Sequence, residues 1–243
     1  MAVIAVYSVK GGVGKTTIAA NLAWCAARIS RRKTLLWDLD AAGGAAFLFG
    51  MDPPAKDRAA ALFGRGVDAA DLVRPTSVKK LSILPADASL WSLDGQLVAM
   101  GKKKRMAKLT EQLGREYDRI VLDCPPVLNE ISRQVIRAAD IVIVPMPPSP
   151  LSARALDMIR DDIAGSVKRH PPILPVHSML DLRRALHKEA RAAGANWPAI
   201  PMASAVEQMA VRRAPLGEFA PRSPAMQATR RLWTAIESKL LKG

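Results

Sequence analysis

Cysteine is scarce: Cys25 and Cys124 are the only two in 243 residues, they stand far apart, and neither sits in a CxxC pair or beside a histidine. That argues against a disulfide framework and a thiolate metal site, and leaves two reduced, packed thiols. Nowhere do about eighteen apolar residues run together, so no segment reads as a membrane-spanning helix. The N-terminus lacks the charged start and cleavage site of a signal peptide, because MAVIAVYS leads straight into a glycine-rich loop; the expectation is a cytosolic protein. No internal repeat and no Gly/Ser linker breaks the chain. Acidic residues are in deficit, 22 against 36 Lys+Arg, for a net charge of +14. Such a balance favours a polyanionic partner, although charge alone leaves a merely soluble basic surface equally open.

What is present is a regular alternation. Apolar runs at 2–8, 34–40, 81–86, 119–124, 140–146 and 172–178 read as strands. Most are apolar throughout rather than at every second residue, as parallel strands covered on both faces should be. Helical patterns fall at 15–30, 102–116, 130–139, 151–169, 181–194, 204–213 and 224–241. The expectation is one α/β domain over 1–243, a doubly wound, mostly parallel sheet flanked by helices. Residues 41–75, rich in Pro, Gly and Ala, form the least regular stretch and read as a mobile flap on that domain.

Gly11-Gly12-Val13-Gly14-Lys15-Thr16 follows the first strand and opens the first helix. Glycines there let successive backbone N–H groups turn around an anion, and the helix N-terminus adds its dipole. Lys15 would reach the β- and γ-phosphates of a nucleotide, and the Thr16 hydroxyl would bind Mg²⁺. Two carboxylate-bearing strand ends support the reading. RIVLDCPP puts Asp123 where a metal-shell acid belongs, and LLWDLD puts Asp38 and Asp40 two residues apart on one side of a strand. Three aspartates at the carboxyl edge of the sheet that carries the phosphate loop read together as a Mg²⁺ and water site, although a lone strand-end aspartate is more often a turn cap.

KGGVGKTT (10–17), NLA (21–23), DLD (38–40) and DCPP (123–126), followed in order by PMPPSPLSARAL (145–156), SMLDLR (178–183) and IPMASAVEQMAVRRAPLGEFAPRSPA (200–225), resemble the ParA/MinD group of deviant Walker A ATPases over nearly the whole chain. The resemblance implies ATP and Mg²⁺ as cofactors, with nucleotide contacts from Gly11, Gly12, Val13, Gly14, Lys15, Thr16 and Thr17. It also implies that Lys10 crosses to the phosphates of a partner protomer when two subunits sandwich two ATP molecules. A second ammonium delivered from the partner is favourable only when nucleotide fills both halves, so ATP would control dimerisation. Asp40 would position or activate the attacking water, Asp38 would support Thr16 and the metal, and Asp123 would complete the metal shell. Hydrolysis is expected to be slow and accelerated by an activating or adaptor protein. The chain departs from the family in two places. Ala41-Ala42-Gly43-Gly44 stands where Pro-Gln-Gly-Asn is usual, and Ile200-Pro201-Met202 where Ile-Pro-Arg is common; Pro201 is the one adenine contact carried over.

For the output of the switch, the first expectation is non-specific DNA binding by an ATP dimer that partitions or positions a plasmid, chromosome or protein cargo, in the cytoplasm on the nucleoid. Its support is the net charge and the clusters Arg183-Arg184 with Lys188 and Arg191, Arg212-Arg213, and Arg230-Arg231. Arg184, Lys188 and Arg191 recur at i, i+4, i+7 and would share a helix face. One alternative is a MinD-like membrane cycle anchored by ATRRLWTAIESKLLKG, whose Leu232, Ile236 and Leu240 recur at helical spacing beside Trp233, with Glu237 interrupting the basic face. Another is a ParA-like regulator of polysaccharide secretion acting through protein partners. The basic run 102–105 is either a solvated helix start or a mild pointer to an acidic partner, since lysines sit poorly at a helix N-terminus.

Overall fold

The computed structural model describes all residues except 53, 55–57, 65–66, 102, 167–169 and 243. Its strands are β1 (Ala2–Val6), β2 (Thr34–Asp38), β3 (Arg74–Pro75), β4 (Leu81–Leu84), β5 (Arg119–Asp123), β6 (Ile141–Met146), β7 (Ile173–Leu180) and β8 (Ala199–Pro201). They form one sheet in the order β3-β4-β2-β5-β1-β6-β7-β8. Every pairing is parallel except that of β3 with β4. The helices are α1 (Lys15–Arg28), α2 (Gly44–Phe47), α3 (Leu93–Met100), α4 (Arg105–Leu113), α5 (Glu130–Ala138), α6 (Pro150–Ser166), α7 (Ala185–Ala193), α8 (Ser204–Arg212), α9 (Leu216–Phe219) and α10 (Pro224–Lys242).

Alternation along the strands divides the interior. Ile4, Val6, Leu36, Val121 and Ile143 face the layer of α1 and α10, while Val3, Ala5, Leu35, Trp37, Leu122 and Val142 face the layer of α3–α6. Burial on both faces explains why these strands are apolar throughout. All six expected strands are present, and β3 and β8 are additional. Both additions are two or three residues long and contain proline, too short to give a periodic signal. The helix α3 was also unread, because Gly95 and its mixed composition hide it. The helix expected from 181 begins at Ala185, because the Asp181 side chain and carbonyl take the amides of Arg183 and Arg184 in a turn. Of the basic run, Lys102 lies outside the described residues, as does the end of the helix expected over 151–169. Lys103 and Lys104 are exposed, and Arg105 donates to the carbonyls of Leu62, Phe63 and Gly64, closing the 3₁₀ turn Ala59–Phe63. The least regular stretch contains α2, that turn and a second at Ala69–Asp71.

Polar struts tie α1 to the C-terminal helices. Asn21 accepts from the Leu216 amide at 2.9 Å and donates to the Thr17 carbonyl at 2.8 Å, and the Trp24 indole donates to Glu218. Glu237 on α10 receives Arg119 through two 2.9 Å bonds and Arg32 through a third. Burial works against the Glu237 carboxylate, but the two guanidiniums more than offset it and hold its pKa below the usual value. Leu232, Trp233 and Ile236 are buried against the sheet layer, and Leu240 packs at its margin. Gly217, in α9, lies flat against Trp24, where a Cβ would overlap the indole ring. Gly217→Ala is therefore expected to destabilise the protein by about 1–3 kcal/mol through overpacking, read as a lower urea midpoint with an unchanged m-value.

Candidate functional site

In the sheet, β1 lies between β5 and β6, so successive connections leave it in opposite directions and a crevice opens beyond its carboxyl end. The loop 8–14 fills the mouth of that crevice. Gly12 (φ +69°) and Gly14 (φ +91°) adopt left-handed conformations that bend the backbone into a cradle, and nothing lies within 4 Å of a Cβ built on Gly11 or Gly12. Gly14 caps α1 without any side-chain bond, which leaves the first-turn amides of α1 to an anion. Lys15, 6% exposed, donates its Nζ to the Lys10 carbonyl at 3.1 Å. Burial lowers its pKa, and the carboxylates of Asp123 and Asp40 oppose that shift. A polyanion in the cradle would supply the missing counter-charge.

Asp38 and Asp123 stand side by side at the ends of β2 and β5. Both oxygens of Asp38 are committed to backbone: Oδ1 accepts from Asp40 N at 3.1 Å and Oδ2 from Ala45 N at 3.0 Å. They hold the turn that returns as α2. Gly43 (φ +67°) allows that turn, and Gly44 lets it lie on Thr16, whose Cγ2 would be 3.3 Å from an added Cβ. Gly43, which matches the family pattern, and Gly44, which replaces its Asn, thus keep the flap seated although the Pro, Gln and Asn side chains of that pattern are lost. Asp40 is half-buried and accepts from Ala42 N.

Asp123 is different. It is 1% exposed and neither carboxylate oxygen has a hydrogen-bond partner. Burial pushes its pKa up to about 7, the Thr16 hydroxyl and the Lys15 ammonium pull it down, and Asp40 raises it further. Burial and the neighbouring Asp123 likewise raise Asp38 well above the usual carboxylate range. Two orphaned anionic oxygens beside a threonine hydroxyl fit a hard divalent cation. Among the described residues no cluster of three or more His, Cys, Asp or Glu side chains could enclose a metal, so the rest of any shell would be water and ligand oxygen.

Lys10 is half-buried and its Nζ reaches Ser152 Oγ at 3.4 Å; Ser152, in the first turn of α6, also contacts Ser149. Val13 accepts from the buried Ser178 hydroxyl on β7 at 3.0 Å. Neither serine was singled out from sequence, where both sit in segments noted only as late family blocks. Pro201 lines a cavity of about 120 Å³ that also touches Gly14 and Thr17, which brings the one proposed base contact to the glycine loop.

The basic candidates differ in exposure and partners. Arg184, Lys188, Arg212 and Arg231 are exposed. Arg183 is exposed but clamped on Asp181 by two 2.9 Å bonds, with the Asp181 pKa pulled down to about 2. Arg191 turns inward to the carbonyls of Gly194 and Trp197. Arg213 binds Asp52 and stacks on Phe47, and Arg230 lies over Trp24 with its Nε buried. The i, i+4, i+7 stripe therefore keeps two of its three side chains facing solvent.

An AAA domain family model matches residues 1–172. The chain is 32% identical over 146 residues to the sporulation initiation inhibitor protein Soj of Bacillus subtilis, with 59% of this chain and 57% of Soj covered. It is 35% identical over 148 residues to the chromosome partitioning protein ParA of Myxococcus xanthus, with 59% of this chain and 51% of ParA covered. The chain belongs to the ParA/MinD family of P-loop ATPases. The chain spans about half the length of these two relatives. A solved septum site-determining protein MinD from Pyrococcus horikoshii, complexed with Mg-ADP, superposes with a TM-score of 0.77 at 21% identity over 97% of this chain and 95% of that one. ParA/MinD proteins are partition or positioning ATPases that work as dimers with partners. No helix among the described residues is long and apolar enough to cross a membrane.

The raised pKa of Asp123 has a measurable consequence for the ligand-free ParA/MinD chain. An unfolded aspartate ionises near 3.8 and the folded one near 7, so between those values the folded state holds more protons than the unfolded state. Stability therefore falls as pH rises through this window. Thermal melts without nucleotide or metal should show a lower midpoint at about pH 8 than at about pH 6, and Asp123→Asn should flatten that difference.

Proposed function

We propose that this chain is an ATP-dependent dimerising switch that hydrolyses ATP slowly, binds DNA non-specifically in its ATP state, and partitions or positions a cargo through an adaptor protein. The observation that carries the reading is the convergence at one strand edge of an open glycine cradle, a buried lysine and a carboxylate with no partner. Gly11 to Thr17 hold the phosphates, with Lys15 neutralising their charge. Thr16 and Asp123 hold Mg²⁺, with Asp38 shaping the turn behind them. When bound, the cation supplies charge neutralisation at the phosphate oxygens. Asp40, on the rim of the crevice, takes the water-positioning role. Lys10 rests on Ser152 within its own chain and is released to a partner's phosphates when two ATP-bound subunits meet. Membrane anchoring is the weaker reading, because the apolar stripe of α10 is spent on the core and its Glu237 on two arginines.

Three substitutions separate the steps. Lys15→Ala should abolish ATP affinity. Lys10→Ala should bind ATP with Mg²⁺ but remain monomeric in light scattering; ATP-driven dimerisation equal to the parent would remove the cross-subunit role. Asp40→Ala should bind ATP and dimerise, with phosphate release lowered by about tenfold or more; normal turnover would move water positioning elsewhere.

DNA binding is tested on the exposed arginines and lysine. The hydrolysis-blocked ATP form should shift duplex DNA of any sequence, with a log–log salt slope of about −0.9 per phosphate contact. Charge reversal at Arg184 and Lys188 should flatten the slope, whereas Arg191→Glu should act through folding. Sedimentation with anionic liposomes and indifference to DNA at low salt would replace this reading with the membrane one.

A further inference from the structure

Tyr7 follows the last residue of β1 and immediately precedes the loop 8–14. Its side chain is fully buried on the α3–α6 side of the sheet, and its amide donates to the Ile143 carbonyl of β6 at 2.9 Å. The hydroxyl at the end of that ring donates to the Val127 carbonyl at 2.7 Å, across 120 residues of sequence. Burial pushes the phenol pKa well up from its usual value, so the group stays protonated and stays a donor. A phenylalanine would fill the same space, and a hydroxyl buried there without a partner would cost stability. What tyrosine adds at this position is the bond.

Val127 belongs to the segment that leaves β5 after Asp123. Neither Asp123 oxygen has a hydrogen-bond partner, so the direction of that carboxylate rests on the backbone to either side. Upstream, sheet pairing to Val6 and Asp38 holds it. Downstream, the Cys124 amide reaches the Val6 carbonyl at 3.2 Å, and then come Pro125 and Pro126, which have no N–H to give. The Val127 amide closes locally on the Pro125 carbonyl at 2.9 Å, and Pro126 and Leu128 are exposed. Among the described residues, the bond from Tyr7 is thus the one hydrogen bond that ties residues 125–128 to the rest of the molecule. Given the reading of Asp123 as a Mg²⁺ acid, on which this rests, we infer that Tyr7 is a positioning residue: its hydroxyl latches the diproline loop to the strand that feeds the phosphate loop, and so fixes the aim of Asp123 at a cation held beside Thr16. One residue then anchors both sides of the crevice, its backbone the start of the glycine loop and its side chain the loop beyond Asp123.

The test uses Mn²⁺ as the probe, titrated into the full chain with a non-hydrolysable ATP analogue and followed by the EPR signal of the free ion. Tyr7→Phe keeps the ring and removes the bond. It should weaken Mn²⁺ binding by about fivefold, the worth of one neutral hydrogen bond, and leave metal-free binding of the analogue at the parent value. The Mg²⁺ concentration that half-saturates hydrolysis should rise, while the rate at saturating Mg²⁺ recovers. A loosened fold would instead lower nucleotide affinity with and without metal. Asp123→Asn should weaken Mn²⁺ further than Tyr7→Phe does, and combining the two should cost nothing more, because the latch acts through that carboxylate. Parent-like Mn²⁺ affinity in Tyr7→Phe, an equal loss of metal-free nucleotide binding, or a full additional loss in the double variant overturns the inference while leaving the Mg²⁺ site intact. Parent-like Mn²⁺ affinity in Asp123→Asn would instead remove the reading of Asp123 itself, and the latch with it.

Discussion

The placement of β1 between β5 and β6 is the constraint on which the site depends. A chain that leaves β1, crosses α1 and returns as β2 on the far side of β5 must open a crevice at the carboxyl end of β1, because the next strand on the other side belongs to a later crossover. The glycine loop, Asp123 at the end of β5 and Asp38 at the end of β2 are then brought to one edge by backbone pairing alone. Side-chain packing holds the register; it does not have to create the convergence.

Within that frame the three aspartates divide by their partners. Asp38 is buried with backbone amides on both oxygens and acts as the knot of the turn after β2. Asp123 is buried with none, which is costly unless a cation or a proton compensates. Asp40 stays half-exposed on the turn that Asp38 ties. Spacing in the sequence put Asp38 and Asp40 on one side of a strand, and the structure gives them different surroundings because the chain leaves the sheet immediately after Asp38.

Much of the architecture was legible in the sequence, and for identifiable reasons. Continuous apolar runs marked the six long strands because both faces of the sheet are covered, and the loop glycines marked the crevice because only they tolerate φ near +70° to +90° at Gly12 and Gly14. What was not legible depends on distant partners. Ser152 comes to Lys10 from 142 residues away, and nothing local marks it. Arg191 reads as surface charge because its spacing fits a helix face, and Arg230 because it stands in a basic pair; that they turn to Trp197 and Trp24 follows from tertiary packing. Glu237 read as a flaw in a basic helix face and is the acid that binds Arg119 and Arg32.

The pairing of α1 with α9 and α10 also bears on how the chain comes together. The helix that begins with Lys15 is made early, yet the groups that cover its flank, Leu216, Met226, Leu232 and Trp233, are made some two hundred residues later. The earlier strands β1, β2 and β5 already offer α1 one face to pack on, but until the chain is complete the Trp24 indole has no Glu218 and Asn21 no Leu216 amide. Contacts this far apart in sequence carry a loop-closure cost that grows only slowly with separation, and they bear on folding rate more than on stability. The flank of α1 behind the phosphate loop thus takes its cover from the last segment of the chain to be made, and Asn21 gains its Leu216 partner only then.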